Sequence, residues 1–407
     1  MASAAWARIV ITPAEAETLI SQHLVCLPIE SLPLPQCMGA VLRENVYAER
    51  DQPPFDRVAM DGIAIDSSAW KAGRRKFRVE GLQAAGDPYR KLATAEDCLE
   101  VMTGAVLPHG CDTVIPSEQL KLSDGVAEVP DAEVRSGQNV HKRASDGRQG
   151  DLLLEAGALL RAPEIAVAAS AGMSRIRVSS QPTMLVISTG NELIEPGEPI
   201  LDYQIRRSNS YGVAAALRQR GFLRVADDHL PDDMATLLER LRLHLHTHDV
   251  LILSGGVSMG RYDLVPKALE ELGVRLVFHR IAQRPGRPMW FGITEGGPAV
   301  FALPGNPVST LVCLGRYVLP ALYQAMGLRE QRLERIAIAE PVEFKAPLTS
   351  FLPVVVEYDD WGRPWAVPKP TNGSGDFSSL AGTDGFVELP PGPNVWPKGF
   401  VTRIYRW

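Results

Sequence analysis

Three runs decide the fold: TMLVISTGNEL (183–193), DVLILSGGVSMGRYD (249–263) and AVFALPGNPVS (299–309). Each begins with a short stretch that is apolar throughout and rich in β-branched residues, the pattern of a strand buried on both faces of a parallel sheet. Between them, SYGVAAALRQRG (210–221) and DDMATLLERLRLHL (232–245) have helical spacing, and PVSTLVCLGRYVLPALYQAMG (307–327) reads as a closing helix. Strands alternating with helices predict a doubly wound α/β domain over residues 181–330, with helices on both faces.

Outward from this centre the pattern changes. Residues 1–180 are rich in Pro and Gly, with short apolar runs broken by turn chemistry, and read as a β-rich N-terminal region. Two helices interrupt it. Thr12-Pro13-Ala14-Glu15 has the order of a capping box and predicts a helix over 13–25, and PEIAVAASAGM (163–173) has first-turn Pro and Glu with Gly172 as its stop. Residues 331–407 return to short alternating strands and should form a small separate β-domain.

Bulk properties narrow the function. A chain of 407 residues predicts two to four domains, and 45% hydrophobic with 22% charged residues is the balance of a globular protein. A net charge of -6 gives no global field for a polyanion, so neither nucleic acid nor membrane is an expected partner. Cys26, Cys37, Cys98, Cys111 and Cys313 are scattered, as expected of reduced, mostly buried thiols. The N-terminus lacks the sustained apolar core of a secretion signal, and no stretch approaches the roughly 20 apolar residues of a membrane span, so the expected location is cytoplasmic.

In open α/β sheets ligands lie beyond the carboxyl ends of the strands. There the chain places Thr189, Gly190 and Glu192; Gly255, Gly256, Ser258 and Asp263; and Pro304, Gly305, Asn306 and Ser309. One glycine loop is what any tight strand-to-helix turn needs, but three on successive strand ends describe a phosphate-binding rim. Arg280, Arg284 and Arg287 surround a Pro-Gly turn between two such ends and carry forked donors suited to tetrahedral oxyanions. Carboxylates at Asp61, Glu192, Asp232 and Asp263 would repel a phosphate unless Mg²⁺ lay between them, which makes Glu192 and Asp263 the candidate metal ligands; Asp233 reads as a helix cap. His244, His246 and His248, spaced by two at a helix end, do not share a face and read as structural.

The motifs VAMDGIAI (58–65), MTGAVLPHGCDTVIPSE (102–118), GQNVHKRASD (137–146), STGNEL (188–193), RSNSYG (207–212), LSGGVSMGRYD (253–263), RPGRPMWFG (284–292), LPGNPVS (303–309) and GSGDFSSLAGTDGF (373–386) occur in one order. In these, across the whole chain, the sequence resembles the MoeA-type molybdopterin molybdenumtransferases and the matching domain of gephyrin. The resemblance implies a split, β-rich N-terminal region, a central molybdopterin-binding α/β domain and a C-terminal β-barrel. It implies a Mg²⁺-dependent reaction of molybdate with adenylylated molybdopterin that yields molybdenum cofactor and AMP. It carries over Asp61, Asp146, Glu192, Asp232 and Asp263 as catalytic acids, and Thr103, Ser208 and Asn209 as substrate-binding residues. It further implies a homodimer with an active site shared between subunits, and as partners the molybdopterin adenylyltransferase and recipient molybdoenzymes.

The sequence departs from the commoner family pattern in its arginine turn, where lysines are usual, and at Arg207, where Asp is usual. Ala144-Ser145 stands for Gly-Glu, and Thr349 and Pro353 stand for barrel arginines. These departures keep open an alternative, a non-catalytic paralogue that delivers cofactor to a molybdenum hydroxylase, and a weaker one, a multivalent scaffold. The carboxylate set favours the enzyme.

Overall fold

The computed structural model describes residues 10–129, 133–257, 264–329 and 333–407, which form two compact units. The larger comprises residues 1–44, 156–162 and 175–407. Its centre is a six-stranded sheet. β1 (Met184–Thr189), β2 (Val225–Leu230), β3 (Val250–Ser254) and β6 (Ala299–Leu303) are parallel, while β4 (Arg275–His279) and β5 (Trp290–Ile293) run antiparallel at one edge. The order is β2-β1-β3-β6-β5-β4. All three runs that open the sequence analysis are thus buried parallel strands, and the hairpin β4–β5 is the part that their periodicity did not reveal.

Because strand side chains alternate, β1 sends Met184 and Val186 into one core and Leu185 and Ile187 into the other. The first core is covered by α1 (Asn209–Gln219) and by the run α4 (Pro307–Cys313), a π-helical turn (Leu314–Val318) and α5 (Leu319–Ala325). The second is covered by α2 (Met234–Thr247) and α3 (Val265–Glu271). Asp233 caps α2 by accepting the Thr236 N–H at 2.8 Å. His244 Nε2 lies 2.7 Å from Asp228 Oδ2, which gives this histidine a structural partner. The N-terminal helix, Pro13–His23, carries the complete Thr12–Glu15 capping box and packs Ala16 and Ile20 into the first core.

The C-terminal strands close on themselves. β7 (Arg335–Ile338), β8 (Thr349–Tyr358), β9 (Pro364–Pro368), β10 (Gly385–Leu389) and β11 (Val401–Arg406) run in the order β8-β9-β7-β11-β10, and β10 pairs again with β8, completing a five-stranded barrel. Gln283 and Arg284 add a short parallel pairing to the start of β8.

Arg316, in the π-helical turn, ties these parts together. Its side chain is 3% exposed, with Nη2 2.8 Å from Glu17 of the N-terminal helix and Nε 3.1 Å from Glu388 of β10. Burial opposes its charge, but Tyr405, Glu388, Tyr317 and Glu17 outweigh that and raise its pKa. Tyr405 also donates its hydroxyl to Glu388 at 2.6 Å.

The smaller unit, residues 45–155 and 163–174, is built on a six-stranded sheet in the order Thr113–Pro116, Gly62–Ile65, Asp97–Val101, Lys76–Gln83, Val126–Glu128, Lys121–Ser123. Ile63, Ile65, Phe77 and Ile115 pack on one side, and Val58, Ala64, Val101 and Val114 on the other. Two short ribbons flank it, Arg57–Val58 with Val140–His141 and Val46–Tyr47 with Leu152–Leu154. The second expected helix spans Ala162–Ser170, and Gly172 follows at φ +78°, where an added Cβ would lie 2.6 Å from Glu49 Oε2. Ala144 has φ 61°, a left-handed conformation that strains a residue with a Cβ. Glycine, which the resemblance leads one to expect there, would adopt it without strain.

No helix among the described residues is long and apolar enough to cross a membrane. Cys37, Cys98 and Cys313 are buried, Cys26 is exposed, and burial pushes the thiols of Cys98, Cys111 and Cys313 up to about 12, well away from reactive thiolates.

Arg316→Ala leaves Glu388 half of a broken buried pair and should destabilise by about 3–5 kcal/mol, whereas Glu17→Gln, at a half-exposed carboxylate, should stay within about 1 kcal/mol; urea unfolding followed by tryptophan fluorescence measures both. Ala144→Gly relieves the left-handed strain but loosens the unfolded chain, and should stabilise by up to about 1 kcal/mol in thermal unfolding.

Candidate functional site

The chain passes from β1 outward to β2 and then returns to β3 on the other side of β1, so the sheet's switch point lies between β1 and β3. Connections leaving two neighbouring strands in opposite directions open a crevice there. The Thr189–Glu192 and Gly255–Val257 turns form its walls, and the Pro304–Asn306 turn from β6 forms its floor.

Close backbone packing explains the glycines. Gly255 has φ +101°, and a Cβ on it would lie 2.7 Å from the Thr189 carbonyl oxygen; Gly256 has φ +65°, and its Cβ would lie 2.9 Å from Thr189 Oγ1. Asn209, at the start of α1, ties the turns together by donating Nδ2–H to Ser254 Oγ at 2.8 Å and to the Gly305 carbonyl at 2.7 Å.

Three adjoining cavities follow this edge. The first, about 450 Å³, is lined by Ser188, Thr189, Ser208, Asn209 and Phe377 among others. Ser188 Oγ, Thr189 Oγ1 and Asn209 Oδ1 are buried there with no hydrogen-bond partner among the described residues, as in a cavity built for a polar ligand. The second, about 370 Å³, shares Thr189, Glu192, Gly255, Gly305 and Asn306 with the first and adds Gly190, Gly256 and Asp232. The Glu192 carboxylate folds back over Gly190, where an added Cβ would meet Oε2 at 2.6 Å, and accepts no hydrogen bond from a described residue.

The third cavity, about 920 Å³, lies between the arginine turn and the barrel and shares Pro288, Pro304 and Asn306 with the second. Its lining includes Arg284, Arg287, Ser309, Ser350, Pro353 and Ser374. Arg284 and Arg287 are exposed and form no ion pair with any described residue. The barrel contributes no charged side chain to this lining, so its positive charge comes from these two arginines. Arg280 lines none of the three cavities; it adopts φ 87° and donates its backbone N–H to the Met289 carbonyl.

The structure therefore brings together Thr189, Gly190, Glu192, Ser208, Asn209, Asp232, Gly255, Gly256, Pro304, Gly305 and Asn306 around the crevice, with Arg284, Arg287 and Ser309 in the neighbouring cavity. Ser258 and Asp263 lie outside the described residues. Asp61, Thr103 and Asp146 belong to the smaller unit. There the Thr103 N–H and hydroxyl both donate to Asp61 Oδ1, at 2.6 and 2.8 Å, and hold its carboxyl below the usual range. Sequence reasoning missed Ser188, Ser254, Phe377 and Ser374 as lining residues. The last two stand in the GSGDF motif, and Asn306 Nδ2 donates to Ser374 Oγ at 2.7 Å.

Arg207 adds no free cation to the crevice. Its buried guanidinium pairs with Asp227 and lies 3.2 Å from Glu195, so its positive charge is balanced locally.

Family models place this architecture. Residues 11–172 match the MoeA N-terminal region (domains I and II), 185–324 a probable molybdopterin-binding domain, and 335–401 the MoeA C-terminal region (domain IV). The chain is 38% identical to the molybdopterin molybdenumtransferase of Synechocystis over 98% of its own length and 100% of the relative's. It is 32% identical to the Haemophilus influenzae protein of the same name, covering 82% of this chain and 80% of that one. A crystal structure of the molybdopterin biosynthesis MoeA protein of Pyrococcus horikoshii superposes with a TM-score of 0.81 at 26% identity, covering 98% of this chain and 100% of that one. By sequence along its full length and by fold, this chain belongs to the MoeA family of molybdopterin molybdenumtransferases.

Proposed function

We propose that this chain completes the molybdenum cofactor by joining molybdate to adenylylated molybdopterin with release of AMP. The observation that carries this reading is the row of adjoining cavities at the switch point, with carboxylates at Glu192 and Asp232 on one side and Arg284 and Arg287, which pair with no described carboxylate, on the other. Glycine turns let backbone N–H groups approach a phosphate, and the buried orphan atoms of Ser188, Thr189 and Asn209 offer hydrogen bonds to a polar heterocycle beside it. Arg284 and Arg287 hold the incoming oxyanion by forked, charge-assisted donors.

Two carboxylates lining one cavity fit Mg²⁺, which is usually held by one or two carboxylates plus substrate phosphate oxygens. Glu192 and Asp232 line that cavity and would hold it, while Asp263, the other expected ligand, lies outside the described residues; bound there, Mg²⁺ would neutralise charge on the departing phosphate. The active protein on this reading is a cytoplasmic homodimer in which Asp61, Thr103 and Asp146 of one copy serve the crevice of the other.

Release of AMP from adenylylated molybdopterin, with and without molybdate and Mg²⁺, tests the reaction; release that ignores both additions would overturn it. Arg284→Ala and Arg287→Ala should each remove charge-assisted hydrogen bonds of roughly 1.5–3 kcal/mol, weakening molybdate use about ten- to a hundredfold, while Arg→Lys should weaken it less. An unchanged molybdate dependence in the double alanine variant would make the turn a solvated loop. Mixing inactive Asp61→Ala with inactive Glu192→Gln should restore one functional site of the two in each heterodimer after subunit exchange, about one site in four of an equimolar mixture, as simple mixing statistics for a shared site require. No recovery after verified exchange would remove the shared site.

A further inference from the structure

In the smaller unit, Arg57 and His141 face each other directly across the ribbon formed by Arg57–Val58 and Val140–His141. Arg57 Nη2 lies 3.0 Å from His141 Nδ1, and His141 Nε2 lies 2.9 Å from Asp146 Oδ1. The chemistry of this row decides its protons. A guanidinium only donates, so His141 Nδ1 must accept; in a neutral imidazole the proton then sits on Nε2, and that N–H donates to Asp146. The backbone completes the hold, with the Asp146 N–H donating to the Gln52 carbonyl at 2.8 Å. The Ser145 hydroxyl adds a long contact to the same Oδ1 at 3.4 Å. Asp146 Oδ2 accepts nothing from a described residue, and the side chain is 54% exposed.

We infer that Arg57 and His141 are positioning residues that lock Asp146 through Oδ1 and leave Oδ2 free for the reacting molecule. The fixed cation sets the tautomer, the tautomer sets the donor, and the donor sets the carboxylate's rotation, as outer partners orient ligating groups in metal sites. This rests on the catalytic role of Asp146 in the proposed function. The geometry that locks it does not.

The test therefore has two arms on the full-length protein. The first reads the ¹⁵N NMR shifts of the His141 ring, which should show protonated Nε2 and bare Nδ1 at neutral pH, a preference lost in Arg57→Met. A dominant Nδ1–H form, or no change in Arg57→Met, overturns the lock whatever the activity. The second reads molybdate-dependent AMP release. His141→Ala should lower kcat about tenfold or more with KM little changed, and His141→Gln, whose amide offers an acceptor and a donor, should recover most of it. His141→Ala should add nothing in an Asp146→Asn background, because both changes remove one function. Wild-type kcat in His141→Ala, or losses that multiply in the double variant, overturns the positioning role. Full activity in Asp146→Asn instead removes the acid from the reaction, and the tautomer measurement then separates that failure from a failure of the lock. Thermal unfolding of each variant shows whether lost activity is lost fold, and recovery in His141→Gln excludes it.

Discussion

A guanidinium taken out of water is stable only where carboxylates meet it, and Arg316 has two, from opposite ends of the chain. Glu17 brings the N-terminal helix and Glu388 brings the barrel to one point on the helix that covers the central sheet. Close packing keeps them there: Phe386 lies against Gly315, where an added Cβ would come within 3.0 Å of the ring. The wide cavity has one wall on the central domain and one on the barrel, so its shape depends on this docking. Tyr317 on the same turn extends the connection, since its hydroxyl donates to Gln283, whose amide donates to the Pro285 carbonyl at the base of the arginine turn. A structural charge thereby fixes where the two arginine charges of the wide cavity stand.

The crevice itself arises from topology rather than from any single side chain. Reversing direction between β1 and β3 leaves a gap at the strand ends, and glycines there let the three turns converge on it. Convergence also explains the buried atoms without partners among the described residues. Ser188, Thr189 and Asn209 are committed to the turns by their backbones while part of their hydrogen-bonding capacity remains unused, which is expensive unless a ligand or water uses it.

The departures from the common family pattern have local physical accounts. Arg207 is balanced by Asp227 and Glu195, and Ala144 is accommodated in a left-handed turn at some strain. Pro353 lines the barrel side of the wide cavity without charge and Thr349 is buried outside that lining, so the charged residues of the lining are Arg284 and Arg287.

Much of this was legible in the chain by itself. Burial on both faces makes a strand apolar throughout, so β1, β3 and β6 could be read directly, and a capping box is local enough that Thr12 to Glu15 announced its helix. Strand ends carry ligands in such sheets, so the residues after those strands could be named before any contact was seen. Local pattern has no access to what lies far apart along the chain. The antiparallel β4–β5 edge, the closure of the barrel, the pairing of Arg316 with Glu17 and Glu388, and the placing of Ser374 and Phe377 beside the crevice are long-range events. The row from Arg57 through His141 to Asp146 is the clearest case: family resemblance singled out Asp146 alone, and only the tertiary structure put Arg57 and His141 in line with it, because a hydrogen bond depends on distance and direction in space rather than on separation along the chain.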